Sequence, residues 1–474
     1  MARSRKFQSQ QITLPLYDED DSVEERVKPS LIQSGLRDSP AQTKETTHEE
    51  QSGIDLMKLI FASENMNLAL KRVMDNRGAP GIDGMTTYEV RDYLFIHWKV
   101  IRASIFAGTY QPQPVKRVEI PKPNGGTRLL GIPTVIDRLI QQAIQQILTK
   151  IFDPGFSPNS FGFRPNKRGH DAVREARKYI NAGYRWVVDI DLEKFFDRVN
   201  HDILMSRIAR KVSDKCLLKL IRKFLESGIL INGIVTRSEE GTPQGGPLSP
   251  LLSNIMLDDL DKELTKRGHK FVRYADDCNI YVRTRRSGER VKASITAFLD
   301  NRLHLKVNES KSAVDRPWKR KFLGFTITWN KSRQIQISNQ SRVRVKDKIR
   351  SYTQRSKAIS MPDRIERLNQ YLQGWVGYYA LTDGLKFFKE LDSWIRRRLR
   401  MCLWKQWKRT RTRVRELRAL GLKEDDVWST ALSSKGYWRL SLSPPLHKGL
   451  NNAYWHKLGL LSLEAQYQSI RKSW

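Results

Sequence analysis

The sequence predicts an α+β protein, with strands and helices interspersed up to about residue 338 and helices alone beyond it. Three observations lead to this prediction. Apolar residues recur at helical spacing over several long stretches, short apolar runs are bounded by turn residues, and the segment after Ser338 keeps the helical spacing while becoming strongly basic. The chain has 474 residues, of which 39% are hydrophobic, which is enough for a packed core and roughly two to four domains.

The first elements are helices followed by a hairpin. The run Gly78–Gly84 interrupts the helical spacing, and Pro123–Gly126 marks a tight turn between two strand-like runs. In order, the predicted elements are a helix over 54–77, a loop over 78–84, a helix over 87–106, strands over 116–121 and 127–132, and a helix over 136–152.

The next elements carry acidic residues where apolar strands end. Residues 186–192 form a short apolar strand that includes Asp189 and Asp191, and helices are expected from there to about Ser227. Residues 270–282 alternate on both sides of an Ala275–Asp277 turn, which predicts a hairpin. Beyond Ser338, breaks in the helical pattern are expected near Pro362, Gly384, Gly421 and Pro444.

The net charge of +34 and the sequence pI of about 10.1 restrict the class of partner. Such a charge repels itself unless an anionic partner offsets it, which disfavours an enzyme of small neutral metabolites and indicates nucleic acid. The sequence has neither an apolar run of about 18 residues nor an apolar signal core, so we expect no membrane partner. Cys216, Cys278 and Cys402 are too few for a disulfide scaffold or a four-cysteine zinc site, which indicates an intracellular protein.

The charge is unevenly distributed along the chain. Residues 1–52 have a net charge of −3 and are rich in Ser, Gln and Thr without a sustained period, so we predict a disordered polar extension. Residues 53–339 carry +19, and residues 340–474 carry +18 together with eight of the twelve tryptophans. The C-terminal part therefore has the highest density of positive charge.

Two acidic groups stand out in this basic chain, one at Asp189 and Asp191 and one at Asp276–Asp277. An Asp-Asp dipeptide alone says little, because the sequence holds three others. A surface hairpin with acidic turn residues is the alternative, but it does not explain why a second apolar strand also ends in acids. Carboxylates that converge from two strands would supply oxygen ligands for the paired Mg²⁺ ions that assist nucleotidyl transfer.

These segments resemble the ordered motifs of reverse transcriptases. Tyr274–Asp277 resembles their Tyr-x-Asp-Asp box, and Asp191–Phe196 is similar to the first acidic motif of their palm. Gly78–Gly84 resembles the N-terminal extension, and Gly374–Tyr379 the maturase region, of bacterial group II intron-encoded proteins, with the compact group IIC type the nearest. The other matching segments are 160–165, 199–202, 241–250 and 322–325.

This resemblance implies a right-hand polymerase fold with fingers and an antiparallel palm sheet, followed by a helical thumb/maturase domain and a small basic helical domain. The expected divisions are an extension over 1–52, an N-terminal extension of the reverse transcriptase over 53–110, fingers and palm over 111–338, thumb and maturase domain X over 339–405, and a DNA-binding domain over 406–474. The sequence has no Cys-x-x-Cys pairs of the kind found in the endonuclease domain of many relatives, so we expect no endonuclease domain.

The resemblance also implies the catalytic residues. Asp191, Asp276 and Asp277 match the catalytic carboxylates, which hold two Mg²⁺ ions, with Mn²⁺ as a substitute. Asp191 is selected because it lies five residues before the aromatic residue Phe196. Asp189 lies on the same strand face as Asp191 and either also serves or forms a local ion pair.

Five residues match positions that contact the nucleotide in the family: Lys122, Arg128, Phe196, Gln244 and Lys311. Lys122 and Arg128 flank the hairpin turn and would offset phosphate charge. Phe196 would exclude a ribose 2′-hydroxyl, with Phe195 expected in the core. Lys311 is either the general acid for pyrophosphate or a phosphate-facing cation.

Nucleic-acid contacts are expected from cations at both ends of the fold. Lys116 and Arg117 would contact template or triphosphate. The stretch 394–418 holds eleven basic residues and one acidic residue at helical spacing, so one face packs while the other binds phosphates. The residues assigned to this second group are Arg396, Arg397, Arg400, Lys408, Arg409 and Arg411.

The function implied is that of an RNA-directed DNA polymerase which also assists intron splicing and intron mobility by target-primed reverse transcription. Its expected partners are group II intron RNA, an RNA template with a DNA primer, target DNA and dNTPs, in the bacterial cytoplasm. A reverse transcriptase of the retron or diversity-generating type is the alternative. The long extension before Lys116 and the Gly374–Tyr379 region weigh against it.

Overall fold

The computed structural model describes residues 55–121, 126–231, 234–236, 241 and 245–474. This part of the chain divides into two compact units. The first holds the described residues up to 168 together with 190–279 and 290–313. The second holds residues 169–189, 280–289 and 314–474. The predicted extension over 1–52 lies outside the described residues.

Helices and strands alternate in the first two thirds of the described chain. The elements up to the acidic strand are α1 (Leu56–Ile60), α2 (Ser63–Asp75), α3 (Val90–Phe106), β1 (Val115–Pro121), β2 (Thr127–Ile132), α4 (Val135–Phe152), α5 (Gly169–Asn181) and β3 (Trp186–Ile190). Those that follow are α6 (His201–Ala209), α7 (Lys215–Glu226), β4 (Ile229–Ile231), β5 (Ile234–Thr236), α8 (Ser249–Lys266), β6 (Lys270–Tyr274), β7 (Asp277–Val282), α9 (Arg285–Leu303), β8 (Ala313–Asp315), β9 (Phe325–Ile327) and β10 (Ile335–Ile337).

The described residues beyond 338 are helical, as predicted. These helices are α10 (Asn339–Tyr352), α11 (Met361–Tyr379), α12 (Lys386–Gln406), α13 (Thr410–Ala419), α14 (Glu424–Ala431), α15 (Tyr437–Leu440), α16 (Pro444–Gly449), α17 (Asn452–Lys457) and α18 (Leu463–Lys472). They share one apolar core in which Trp404 and Trp455 are each 1% exposed. The α+β prediction is therefore confirmed.

The strands form three sheets within the described residues. One has the order β2–β1–β4–β5, a second pairs β9 with β10, and the third has the order β6–β7–β3–β8. The β1–β2 hairpin is antiparallel with Lys116 opposite Ile132, as the turn at 123–126 predicts. The pairing of β1 with β4 is parallel, which the sequence did not indicate.

The helix predicted over 54–77 is two helices. It is interrupted at Phe61 and Ala62, and α2 begins at Ser63. The Asn65 side chain donates to the backbone oxygen of Ile60 at 2.7 Å. That hydrogen bond satisfies a carbonyl at the end of α1, which favours the break. The helix predicted over 136–152 is α4, which is buried over most of its circumference and forms the centre of the first unit.

Within the described residues, no helix combines the length and the apolar character needed to cross a membrane.

Candidate active site and nucleic-acid interface

The strands on both sides of the acidic turn are buried, while Asp277 at the turn is exposed. In β6, Phe271 and Val272 are fully buried, and Cys278 and Ile280 of β7 are 2% and 0% exposed. Two residues connect the strands, so β6 and β7 must be antiparallel. Burial of consecutive residues means that both faces of the hairpin are covered. A surface hairpin with incidental acidic residues therefore does not describe this turn.

The second acidic group follows the neighbouring strand. The order β6–β7–β3 places Asp191, which comes directly after β3, on the strand adjacent to the one that begins with Asp277. The backbone of Asp191 is fixed at both ends, because its N–H donates to Ser312 Oγ at 2.9 Å and its carbonyl accepts from the N–H of Asn308 at 2.8 Å. The loop that supplies these contacts also carries Lys311, whose Nζ lies 3.2 Å from Asp191 Oδ2.

Asp189 has a different environment from Asp191. In the second unit, Arg320 donates to Asp189 Oδ2 through Nε at 2.9 Å and through Nη2 at 2.5 Å. This guanidinium–carboxylate pair is the local ion pair that the sequence left open as one interpretation of Asp189. The partner is 131 residues away along the chain, so sequence patterns alone could not name it.

Asp191, Asp276 and Asp277 carry carboxylate oxygens, the kind of ligand that hard divalent cations bind. Among the described residues, no group of three or more His, Cys, Asp or Glu side chains forms a ready metal cage. Magnesium is usually held by one or two carboxylates plus phosphate oxygens and water rather than by an all-protein cage. Asp191 directly follows β3, and Asp276 and Asp277 lie at the turn of the adjacent β6–β7 hairpin. Lys311 contacts Asp191, so one of these carboxylates already faces a positive charge.

The two phenylalanines after Asp191 have different environments. Both lie in a short 3-10 helix at 195–197, which is preceded by Lys194 in a left-handed conformation with φ of 48°. Phe195 is 2% exposed and belongs to the core, whereas Phe196 is half-buried. Phe196 therefore keeps part of its ring available to a ligand, and Phe195 does not.

Gly241 lies against this 3-10 helix. Gly241 has φ of +96°, and a Cβ there would lie 2.9 Å from the backbone oxygen of Phe196. Its N–H donates to the carbonyl of Val199 at 2.8 Å, and its own carbonyl is 2.6 Å from His201 Nε2. Farther along, a Cβ on Gly245 would lie 2.5 Å from the oxygen of Gly131. Only glycine permits these close approaches.

Three of the residues predicted to contact the nucleotide have no described side chain. Lys122 and Gln244 lie outside the described residues, and for Arg128 the structure gives only the backbone, which pairs with Ile120. Lys116 and Arg117 are consecutive residues of β1, so their side chains point to opposite faces of the sheet. Only one of these two cations can face a given groove.

The C-terminal cations fall into exposed and buried groups. Lys408 and Arg409 are exposed between α12 and α13, and Arg411 is exposed in the first turn of α13. Arg396 and Arg397 are half-buried, and the Arg397 guanidinium lies 3.8 Å from the Trp438 ring centroid. These five remain candidates for phosphate binding.

Arg400 is a correction to the predicted interface. It is 2% exposed and donates to the backbone oxygens of Ser441 at 2.9 Å and Leu450 at 3.2 Å. Burial lowers the pKa of Arg400 to about 10. Its guanidinium is used to connect α12 with the segments around α16, so its assignment to nucleic-acid binding is wrong. Helical spacing could not reveal this, because both acceptors come from later in the chain.

Comparison with known families covers most of the described chain. Residues 120–327 match the family described as reverse transcriptase (RNA-dependent DNA polymerase), and residues 342–421 match the maturase-specific domain of group II introns. Both matches agree with the order of motifs and with the division of the fold into a mixed part and a helical part.

Three curated relatives are similar to this chain in sequence. Protein YkfC of Escherichia coli is 31% identical over 55% of this chain and 78% of its own length. The group II intron-encoded protein LtrA of Lactococcus lactis is 30% identical over 61% of this chain and 59% of its own. The chain therefore spans about three fifths of the length of LtrA. A putative COX1/OXI3 intron 1 protein of Saccharomyces cerevisiae is 28% identical over 59% of this chain and 40% of its own length.

Solved structures show weaker likeness. The partial Cas6-RT-Cas1–Cas2 complex is 24% identical, with a TM-score of 0.35 and coverage of 52% of this chain and 43% of that one. Apo telomerase from Candida tropicalis has 14% identity, a TM-score of 0.39 and coverage of 51% and 60%.

Proposed function

Because the chain belongs to the group II intron-encoded reverse transcriptases that carry a maturase-specific domain, we propose that its acidic centre copies intron RNA into DNA while its basic helices hold intron RNA and target DNA. The chain is an RNA-directed DNA polymerase by its catalytic domain, and the family uses divalent metal ions. The proposal concerns the residues that perform these steps, the identity of the metal as Mg²⁺ and the partners.

The observation that carries the catalytic part is the placement of Asp191 beside the strand that begins at Asp277. Asp191, Asp276 and Asp277 would hold two divalent cations. When bound, these cations would neutralise charge on the attacking and leaving oxygens of the phosphoryl group. The primer 3′-oxygen forms the new P–O bond, the bond to pyrophosphate breaks, and the hydroxyl proton passes to solvent.

The residues around the acids would position the nucleotide. Phe196, with part of its ring accessible, would lie against the sugar and exclude a 2′-hydroxyl. Lys311 reaches Asp191, so its ammonium could also reach phosphate oxygens held by a metal ion at that carboxylate. There it would donate a proton to the departing pyrophosphate or offset its charge. Lys122, Arg128 and Gln244 would contribute from the fingers and the adjacent loop.

Primer extension on an RNA template with dNTPs and Mg²⁺, run beside a splicing assay on a cognate group II intron RNA, tests the proposal directly. We expect both activities. Primer extension without any effect on splicing would contradict the proposed role of the protein in splicing. Absence of extension with Mg²⁺ and with Mn²⁺ would contradict the catalytic assignment.

The exposed C-terminal cations should bind duplex DNA through its phosphates. Replacing Lys408, Arg409 and Arg411 together by alanine should reduce the slope of log K against log salt by roughly 0.9 for each phosphate that the variant no longer binds, and weaken binding similarly for all sequences. The measurement is a titration of labelled duplex DNA at several salt concentrations.

A matched control removes three exposed cations from the first unit, Lys58, Lys71 and Arg72. This triple-alanine variant should leave the slope for duplex DNA nearly unchanged. Equal changes in both variants would mean that overall charge, rather than the region between α12 and α13, determines DNA binding.

A further inference from the structure

A fully buried arginine lies at the base of the acidic turn. Arg273 is 0% exposed in β6. Its Nε and Nη2 donate to the two carboxylate oxygens of Asp261 at 2.8 and 2.6 Å, and Nη2 also donates to Ser160 Oγ at 2.9 Å. Its Nη1 donates to Asn254 Oδ1 at 3.0 Å and to the backbone oxygen of Ala275 at 2.9 Å. The guanidinium therefore connects two segments of the first unit, α8 and the segment around Ser160, to the turn itself.

The turn needs support because its backbone is unusual. Ala275 is a non-glycine residue with φ of +57°, in the left-handed region that side chains disfavour. Such a conformation persists when its surroundings hold it. The Ala275 carbonyl that accepts from Arg273 belongs to the peptide unit that leads directly into Asp276.

The other side of the turn is held by the segment around Ser160. Arg273 and this segment exchange backbone hydrogen bonds, since the N–H of Phe161 donates to the Arg273 oxygen and the N–H of Arg273 donates to the Asn159 oxygen, both at 2.9 Å. A Cβ on Gly162 would lie 2.3 Å from the Ala275 nitrogen, and the Gly162 oxygen accepts from Asn254 Nδ2 at 2.8 Å. The turn is thus enclosed between this segment and α8.

The chemistry of the network favours arginine specifically. Burial raises the pKa of Asp261, and although burial alone would lower the pKa of Arg273, the Asp261 carboxylate raises it. A buried ion pair is weak support for stability, because desolvation opposes the attraction between the charges. All five N–H groups of the Arg273 guanidinium nevertheless donate hydrogen bonds. Among the side chains, only the planar guanidinium of arginine can donate in so many directions at once. The arrangement therefore fixes geometry more than it adds stability.

We propose that Arg273 is a positioning residue for catalysis: by binding the Ala275 carbonyl while anchored to Asp261, Asn254 and Ser160, it sets where Asp276 and Asp277 present their carboxylates. This inference rests on the proposed function, in which those two carboxylates hold the catalytic metal ions. Arg273 is buried and touches no substrate, so its effect passes through the turn.

The test compares Arg273→Lys with Asp259→Asn. Lysine keeps a cation beside Asp261 but cannot reach all four acceptor groups. Asp259 lies on α8 as well, and it accepts from Arg207 and Arg210 at 2.5 to 3.1 Å rather than from a residue of the turn. The readouts are thermal melting, kcat and KM for dTTP in primer extension on an oligo(dT)-primed poly(rA) template, and Mn²⁺ affinity by electron paramagnetic resonance with a chain-terminated primer.

We expect Arg273→Lys to lower kcat by on the order of 10 to 100-fold, as a small misplacement of catalytic groups does, to weaken Mn²⁺ binding and to leave KM for dTTP within about threefold. Asp259→Asn should lower the melting temperature without changing kcat or Mn²⁺ affinity. An Arg273→Lys protein that melts earlier but keeps wild-type kcat and Mn²⁺ affinity would overturn the proposal.

If Arg273→Lys does not yield folded protein, the variant Ser160→Ala tests the proposal instead. It removes one anchor of the guanidinium and should lower kcat by about threefold with little change in melting, whereas unchanged kcat would overturn the proposal. Failure of the proposed function is distinguishable, because it would appear as activity retained without Asp276 and Asp277.

Discussion

Replacing Asp276 and Asp277 together by alanine should abolish cDNA synthesis while leaving assisted splicing intact. Both residues lie at the turn of the β6–β7 hairpin, next to the strand that precedes Asp191. There they would hold the metal ions that stabilise the transition state by several kcal/mol. A loss of about 4 kcal/mol corresponds to a rate reduction of about 10³-fold. The measurement is single-turnover primer extension with Mg²⁺, beside a splicing assay with the same protein preparation.

The matched control is the double alanine variant at Asp425 and Asp426, another Asp-Asp dipeptide, which lies in the first turn of α14. It removes the same charge and should keep both activities. Wild-type cDNA synthesis in the Asp276 and Asp277 variant would refute the catalytic assignment. Loss of splicing in that variant alone would show that polymerase and maturase functions share the turn.

Replacing Phe196 by alanine should allow ribonucleotides to be incorporated. The ring is half-buried, next to a loop that Gly241 brings into contact with the Phe196 backbone, so its exposed part is positioned to meet a sugar. Removing it opens space for a 2′-hydroxyl. We expect the ratio of kcat/KM for dNTP over rNTP to fall on the order of 10 to 100-fold, the range available to steric discrimination in a pocket.

Phe195→Leu provides the control in this pair of adjacent phenylalanines. Phe195 is 2% exposed, so the change should cost some stability, measurable as earlier thermal melting, while selectivity for dNTPs is kept. Wild-type selectivity in Phe196→Ala, or an equal loss of selectivity in both variants, would show that Phe196 is not the selective residue.

The sequence predicts those parts of the fold whose signals are local. The hairpin around Ala275 and the strand before Asp191 are read from alternation and turn residues within about a dozen positions, and α4 from its long apolar spacing. The strands β8, β9 and β10 are only three residues each, too short for a period to appear. The predicted helix over 54–77 is divided into two helices, and the side-chain hydrogen bond from Asn65 at this break does not appear in the spacing of apolar residues.

The candidate site divides in the same way. Asp191, Asp276 and Asp277 belong to short ordered motifs, and the strand before Asp191 neighbours the hairpin that carries the other two. The burial of Arg400 could not be anticipated, because its acceptors lie 41 and 50 residues later. The Arg273 network likewise joins residues up to 113 positions apart. The sequence does show that Arg273 lies among apolar residues of a strand. Because a buried charge requires a partner, this position indicates a buried network but does not identify its members.

The ion pair between Lys311 and Asp191 gives the centre an internal counter-ion. If Asp191 holds a catalytic metal ion as proposed, that ion would have to displace the Lys311 ammonium from the same carboxylate. A nucleoside triphosphate would favour this exchange, because its negative charge would attract the lysine and its oxygens would coordinate the metal. Divalent ions should therefore bind more tightly when nucleotide is present than when it is not.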